Sequence, residues 1–349
     1  MSKLLFLLHG MGTPGSNFKT SFKEVVNQAM KSYPKLADRS IDDYFDVVAV
    51  DYNKVFDNQR KAWRTKQEKI GDKLESIGGT SLGGLVSVTN SIQEDLVADE
   101  FFATHVLDVL LYRFTFLGEQ VRVHVAKKIV GELRERARAG PVTGWSIVAH
   151  SLGTAVIHDT LCKLFNETTW LEDDFGENYF SKALYTADNI VQISNTSRAL
   201  QQEDLKAYGS IFRPGSGGVC SKLISCSHLY DPFSEIYKYE PTEDRWPDTA
   251  FSNLDLVDFS LITKKNVHAL SHYLENPVCN SIIFKRLFGW NAISSSDLRK
   301  AKKKYQAANP SIDFGQLEKS LKDIRKPEPG EIGKYFLALK EFSEILQSD

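Results

Sequence analysis

This sequence predicts an α/β fold with a mostly parallel, six-stranded sheet flanked by helices. Short apolar runs suited to buried strands recur along the chain, amphipathic helical stretches separate them, and turn-forming residues follow several of the runs at their C-terminal ends.

Residues 3–8 (KLLFLL) form a short apolar run that ends at the glycine-rich stretch HGMGTPG, residues 9–15. Such a run, apolar from Leu4 to Leu8, suits a parallel strand covered on both faces, feeding a loop. Across 17–33, Phe18, Phe22, Val25, Val26, Ala29 and Met30 recur at helical spacing, and Pro34 stops the helix. Residues 45–52 (FDVVAVDY) are rich in β-branched and aromatic side chains and read as the second strand. A β-α-β order requires a crossover and hence parallel strands. A helical insertion, about residues 53–141, follows, with helical stretches at 59–77, 96–117 and 119–139 and a flexible break at 78–84. The third strand is expected at 145–149, followed by a helix over 152–165, and further strands at 189–194, 222–227 and 256–262. From residue 294 onward Lys-rich helical segments replace the strands, so the chain divides into a main domain at 1–293 and a helical C-terminal appendage at 294–349.

Composition narrows the function. In 349 residues, 43 Lys plus Arg nearly cancel 45 Asp plus Glu, leaving a net charge of −2 and no global field to attract a nucleic acid. Four cysteines with no CxxC pair argue against a disulfide scaffold and favour a reducing, cytoplasmic setting. The N-terminal apolar run is too short for a signal peptide, and no stretch has the continuous apolar length of a membrane span.

Two serines stand in a G/A-x-S-x-G pattern. Ser81, in Gly79-Thr-Ser81-Leu-Gly83, follows a charged helical stretch and reads as part of a flexible loop. Ser151, in Ala149-His-Ser151-Leu-Gly153, comes directly after the third strand and opens a helix. A nucleophilic serine needs that strand, sharp turn and helix to hold its Oγ at the sheet edge beside a helix N-terminus. Ser151 is therefore the candidate nucleophile.

With His9-Gly-Met-Gly12 after the first strand and Ala149-His-Ser-Leu-Gly153 after the third, the chain resembles the α/β-hydrolase superfamily of serine esterases and lipases over about residues 1–290. The resemblance implies an oxyanion hole from one backbone N–H in the loop after the His-Gly strand and one from the residue after the serine. By motif these are Met11 and Leu152, with His9 as a brace of the loop. It also implies the chain order serine, acid, histidine. The fifth strand runs into His228-Leu-Tyr-Asp231-Pro, which makes Asp231 the candidate acid, since no carboxylate closely follows the fourth strand. After the sixth strand come two histidines four residues apart, on one face if helical. His268 lies nearer the strand end and is preferred as the base, with His272 as the alternative.

The expected activity is hydrolysis of a carboxylic ester, a lipid acyl ester or a thioester, through a Ser-His-Asp triad and an acyl-enzyme. No cofactor or metal is called for, because the histidine pair lacks an accompanying HExxH carboxylate and no Cys/His cluster occurs elsewhere. The apolar residues around Phe101–Leu117 offer either a lid accepting an acyl chain or a helix packed on the sheet. The expected partner is a small or lipid-like acyl ester and not nucleic acid. The basic run Arg299-Lys-Ala-Lys-Lys-Lys-Tyr305 reads as a solvated helix face or a peripheral membrane contact. A different reading is a catalytically weak hydrolase-fold protein that serves as a partner-binding module, since fold alone does not establish turnover.

Overall fold

The computed structural model describes residues 2–10, 17–57, 108–109, 111–113, 117–200, 211–241, 246–308, 319, 338–339, 341–342 and 345. Six strands form one open sheet: β1 (Lys3–Leu8), β2 (Phe45–Val50), β3 (Trp145–His150), β4 (Ala187–Ile193), β5 (Cys220–His228) and β6 (Leu254–Phe259). Their spatial order is β2-β1-β3-β4-β5-β6, and every neighbouring pair is parallel. The sheet is thus wholly parallel among the described residues, where the sequence suggested mostly parallel. β6 lies two to three residues earlier than the apolar pattern predicts. Its ladder pairs Leu223 with Leu254 and His228 with Phe259, and this leaves residues 260–262 in the loop beyond the sheet edge.

Alternation within the strands builds a core on each face. In β1, Leu4, Phe6 and Leu8 enter one apolar cluster while Leu5 and Leu7 enter the other. The first cluster is closed by α2 (Leu117–Ala139) and α3 (Leu152–Asn166). The second is closed by α1 (Phe18–Met30), α4 (Leu270–Glu275) and α5 (Pro277–Phe288). Phe22, Val26, Ala29 and Met30 form the buried stripe of α1, as the helical spacing requires. Of the predicted insertion, residues 58–107 lie outside the described residues; Val109, Leu111, Tyr112 and Leu117 are buried in the cluster that α2 and α3 share.

The C-terminal region joins both cores. α6 (Ser295–Ala308) buries Ala301 in the α1 and α5 layer and exposes Arg299, Lys300, Lys302, Lys303 and Lys304. Ala338, Leu339 and Phe342 are buried in the opposite layer. No helix among the described residues is long and apolar enough to cross a membrane.

The strand order locates the place where a ligand crevice forms. From β1 the chain crosses first to β2 on one side and then to β3 on the other, so the connections reverse between β1 and β3. In open parallel sheets the carboxyl ends of the strands flanking such a reversal hold the binding crevice. Here those ends are His9-Gly10 and His150-Ser151.

Candidate active site

Ser151 occupies the turn between β3 and α3 with φ 53° and ψ −127°, a conformation that L residues adopt at a cost of about 1–3 kcal/mol. The turn survives because its surroundings hold it from several sides. Ser151 N–H donates to Ile193 O at 3.0 Å, and its carbonyl accepts from Thr154 N–H (2.8 Å), Thr154 Oγ1 (2.6 Å) and Thr196 Oγ1 (2.9 Å). Two glycines let the neighbouring chain approach. A Cβ at Gly10 would lie 2.9 Å from Ser151 Cβ and 3.0 Å from His150 Nδ1, and one at Gly153 would collide with the His9 carbonyl oxygen. The first-strand loop and the elbow therefore touch directly, and both contact points require the absence of a side chain.

Asp231 follows β5 and caps the one-turn helix Pro232–Glu235: its Oδ1 accepts from Phe233 N–H at 3.1 Å while Pro232 occupies the first helical position. His268 follows β6 in the loop before α4. Its Nδ1 lies 3.1 and 3.0 Å from the two Asp231 oxygens, and its Nε2 lies 2.9 Å from Ser151 Oγ. An ionised carboxylate only accepts, so Nδ1 carries the proton and Nε2 is left to accept the serine hydroxyl's hydrogen. The Phe233 ring lies stacked on the imidazole at 4.0 Å between centroids, and Phe342 meets Phe233 edge-on at 5.9 Å. From the other side His150 Nε2–H donates to the His268 carbonyl at 2.8 Å.

Burial by itself would raise the Asp231 pKa. The His268 charge and hydrogen bonds from His268, Ser194 and Tyr273 outweigh it and hold the carboxyl at about 2. Asp231 is therefore a fixed anion behind the imidazole. His272 is placed differently. α4 begins only at Leu270, after an extended Ala269, so the two histidines do not share a helix face as their spacing suggested. His272 packs against His228 with ring centroids 5.0 Å apart, and its Nδ1 stands 3.2 Å from Thr263 Oγ1. Burial, aided by His228 and Lys264, lowers its pKa to about 3.

The structure thus brings together Ser151, Asp231 and His268 and leaves His272 in a separate neutral pocket. Leu152, as the first residue of α3, presents an N–H with no acceptor inside its own helix, at the positive end of the helix dipole. Met11 and Ser81 lie outside the described residues. His9 braces its loop: its ring stacks on Tyr52 at 4.3 Å, its Nδ1–H donates to Gly10 O at 2.6 Å, and Tyr52 OH donates to His9 O at 2.7 Å.

One member of the site has no motif in the sequence. Ser194, just past the end of β4, donates through Oγ to Asp231 Oδ2 at 2.6 Å, and its Oγ also stands 3.0 Å from His268 Nδ1. Tyr273 OH donates to the same carboxylate oxygen at 2.7 Å. The only hint in the sequence was position, since a residue at the end of the fourth strand faces the acid that follows the fifth. A second buried group, where Asp159 pairs with His158 at 2.9 Å and accepts from Tyr112 OH at 2.7 Å, lies on α3 away from these residues.

Comparison with known protein families finds none that matches this chain, and no curated protein matches it.

Proposed function

We propose that the chain is a serine hydrolase of carboxylic esters, with Ser151 as nucleophile, His268 as general base and Asp231 as the acid that orients it. The observation that carries this reading is the 2.9 Å approach of His268 Nε2 to the Oγ of a serine held at positive φ on a strand-to-helix turn. Ser151 is buried, yet a serine that only packs in the core needs no such strain, whereas a nucleophile on a sharp strand-to-helix turn does. The strand order supports assignment to the α/β-hydrolase fold, because nucleophile, acid and base follow β3, β5 and β6 at the same sheet edge.

In this mechanism His268 Nε2 removes the hydroxyl proton as Ser151 Oγ attacks the ester carbonyl carbon. The imidazolium is stabilised by the Asp231 anion, and the carbonyl oxygen, now negative, takes the Leu152 N–H together with a second donor that motif matching assigns to Met11. Collapse expels the alcohol, which receives the proton from His268. Water, deprotonated by the same imidazole, then cleaves the acyl-enzyme and restores Ser151. Phe233, stacked on the His268 ring and backed by Phe342, makes one side of the site apolar, which favours an apolar, lipid-like acyl group over a charged one. A thioester offers the same electrophilic carbon.

The test is hydrolysis of a short-chain nitrophenyl ester by wild type and Ser151→Ala. Turnover in the first and a loss of about 1,000-fold or more in the second is expected. An inert wild-type protein would instead favour a hydrolase-fold binding module.

A further inference from the structure

Resting on the hydrolase reading, we infer that Ser194 is a positioning residue of the catalytic machinery, a fourth member that sets how strongly Asp231 holds His268. Its hydroxyl does two things at once. It donates to Asp231 Oδ2 at 2.6 Å, a short contact to a charged acceptor, and its oxygen lies 3.0 Å from the proton-bearing His268 Nδ1. The Nδ1–H is therefore shared among three oxygens, with Asp231 Oδ1 and Oδ2 at 3.1 and 3.0 Å.

The backbone supplies an independent observation. Ser194 has φ 49°, in the left-handed region that glycine enters without cost and serine does not. It is also fully buried, and its N–H is committed to Cys226 O at 2.9 Å, which extends the β4–β5 ladder by one bond. A turn needed only to leave the strand would be better served by glycine. A hydroxyl aimed at the acid and the base is what the strained residue adds.

The direction of the effect follows from the two contacts. Losing the donor makes the Asp231 carboxylate more basic, which strengthens its hold on imidazolium. Losing the oxygen facing Nδ1 acts the other way. The 2.6 Å bond to an anion is the stronger, so removal of the hydroxyl leaves the imidazolium held more tightly by Asp231. Among the described residues, Tyr273 from α4 donates to Asp231, the ring of His150 from β3 lies 4.9 Å from His268, and the Asp231 charge also acts on His228 and His272.

The test compares wild type, Ser194→Ala and Ser194→Gly for melting temperature and for the pH dependence of both nitrophenyl ester hydrolysis and fluorophosphonate labelling. The glycine variant relieves the φ strain and deletes only the hydroxyl, so it stays folded where alanine is strained. The expected result is a fall in kcat of about 10-fold or more in both variants and an acidic limb moved up by about half a pH unit. A glycine variant as active as wild type, or one slowed with its acidic limb unmoved, would overturn the assignment and leave Ser194 a turn or packing residue. Wild-type protein that neither labels nor turns over would overturn the hydrolase reading itself, and the positioning role with it.

Discussion

His268 Nε2 stands 2.9 Å from Ser151 Oγ, while His272, four residues further along, is turned away into a pocket with His228 and Thr263. The separation arises where α4 starts. Ala269 in extended backbone keeps His268 in the loop, its N–H bonded to Asn266 Oδ1 at 3.1 Å, and the helix carries only His272.

Exchange of each histidine in turn should therefore give unequal results. His268→Ala is expected to lower ester hydrolysis by about 1,000-fold or more, and Asp231→Asn by a comparable factor through the wrong imidazole tautomer. His272→Gln should retain activity within about 10-fold. Initial rates on one soluble ester decide it, and a His272 variant as inactive as the His268 variant would contradict the assignment.

The histidine pair also makes a stability prediction. Burial lowers His228 to about 4 and His272 to about 3, whereas in the unfolded chain both titrate near 6.5. As pH falls below about 6.5 the unfolded state binds protons that the folded state refuses, so stability declines down to about pH 3, on the order of a few kcal/mol per histidine. Asp231, depressed to about 2, adds a further loss only below about pH 4. Urea midpoints measured from pH 7 to 4 should fall steadily for wild type and less steeply for His272→Gln; equal slopes would contradict the buried neutral state.

Gly153 tests the contact between the first-strand loop and the elbow. Its missing Cβ leaves room for the His9 carbonyl, so Gly153→Ala must push β1's loop off the serine turn. A destabilisation of about 1–3 kcal/mol is expected in denaturant titration, together with a drop in activity larger than the stability loss explains. An unperturbed variant would mean that the loop yields freely.

Much of this arrangement is legible in the sequence, and the reasons are physical. Strands covered on both faces are mostly apolar, so 3–8 and 145–149 stand out, and a nucleophile turn announces itself by the glycine two residues after the serine. The base is harder because Ala269 carries no capping oxygen, and nothing local marks Leu270 as the start of a helix. Ser194 carries no motif: beyond its place at the end of the fourth strand, nothing marks it until β4 and β5 align their ends and bring its hydroxyl within 2.6 Å of Asp231. Phe342 is similar, since its contact with Phe233 joins residues that no local pattern links.

Phe342 gives a prediction of its own. Fully buried against Phe233, it backs the ring that lies on His268. Phe342→Ala should cost about 3–5 kcal/mol as a core truncation, and the loosened Phe233 should lower kcat at temperatures where the variant is still folded. Melting curves and rates on the same sample separate the two effects; unchanged stability would show that the C-terminal segment does not bear on the site.

The most direct measurement is to treat the folded protein with a fluorophosphonate and locate the adduct by peptide mass spectrometry, since only a serine beside a working base reacts quickly. The account predicts one adduct, on Ser151, lost in His268→Ala. Labelling at another residue, or none in a protein shown to be folded, would contradict it.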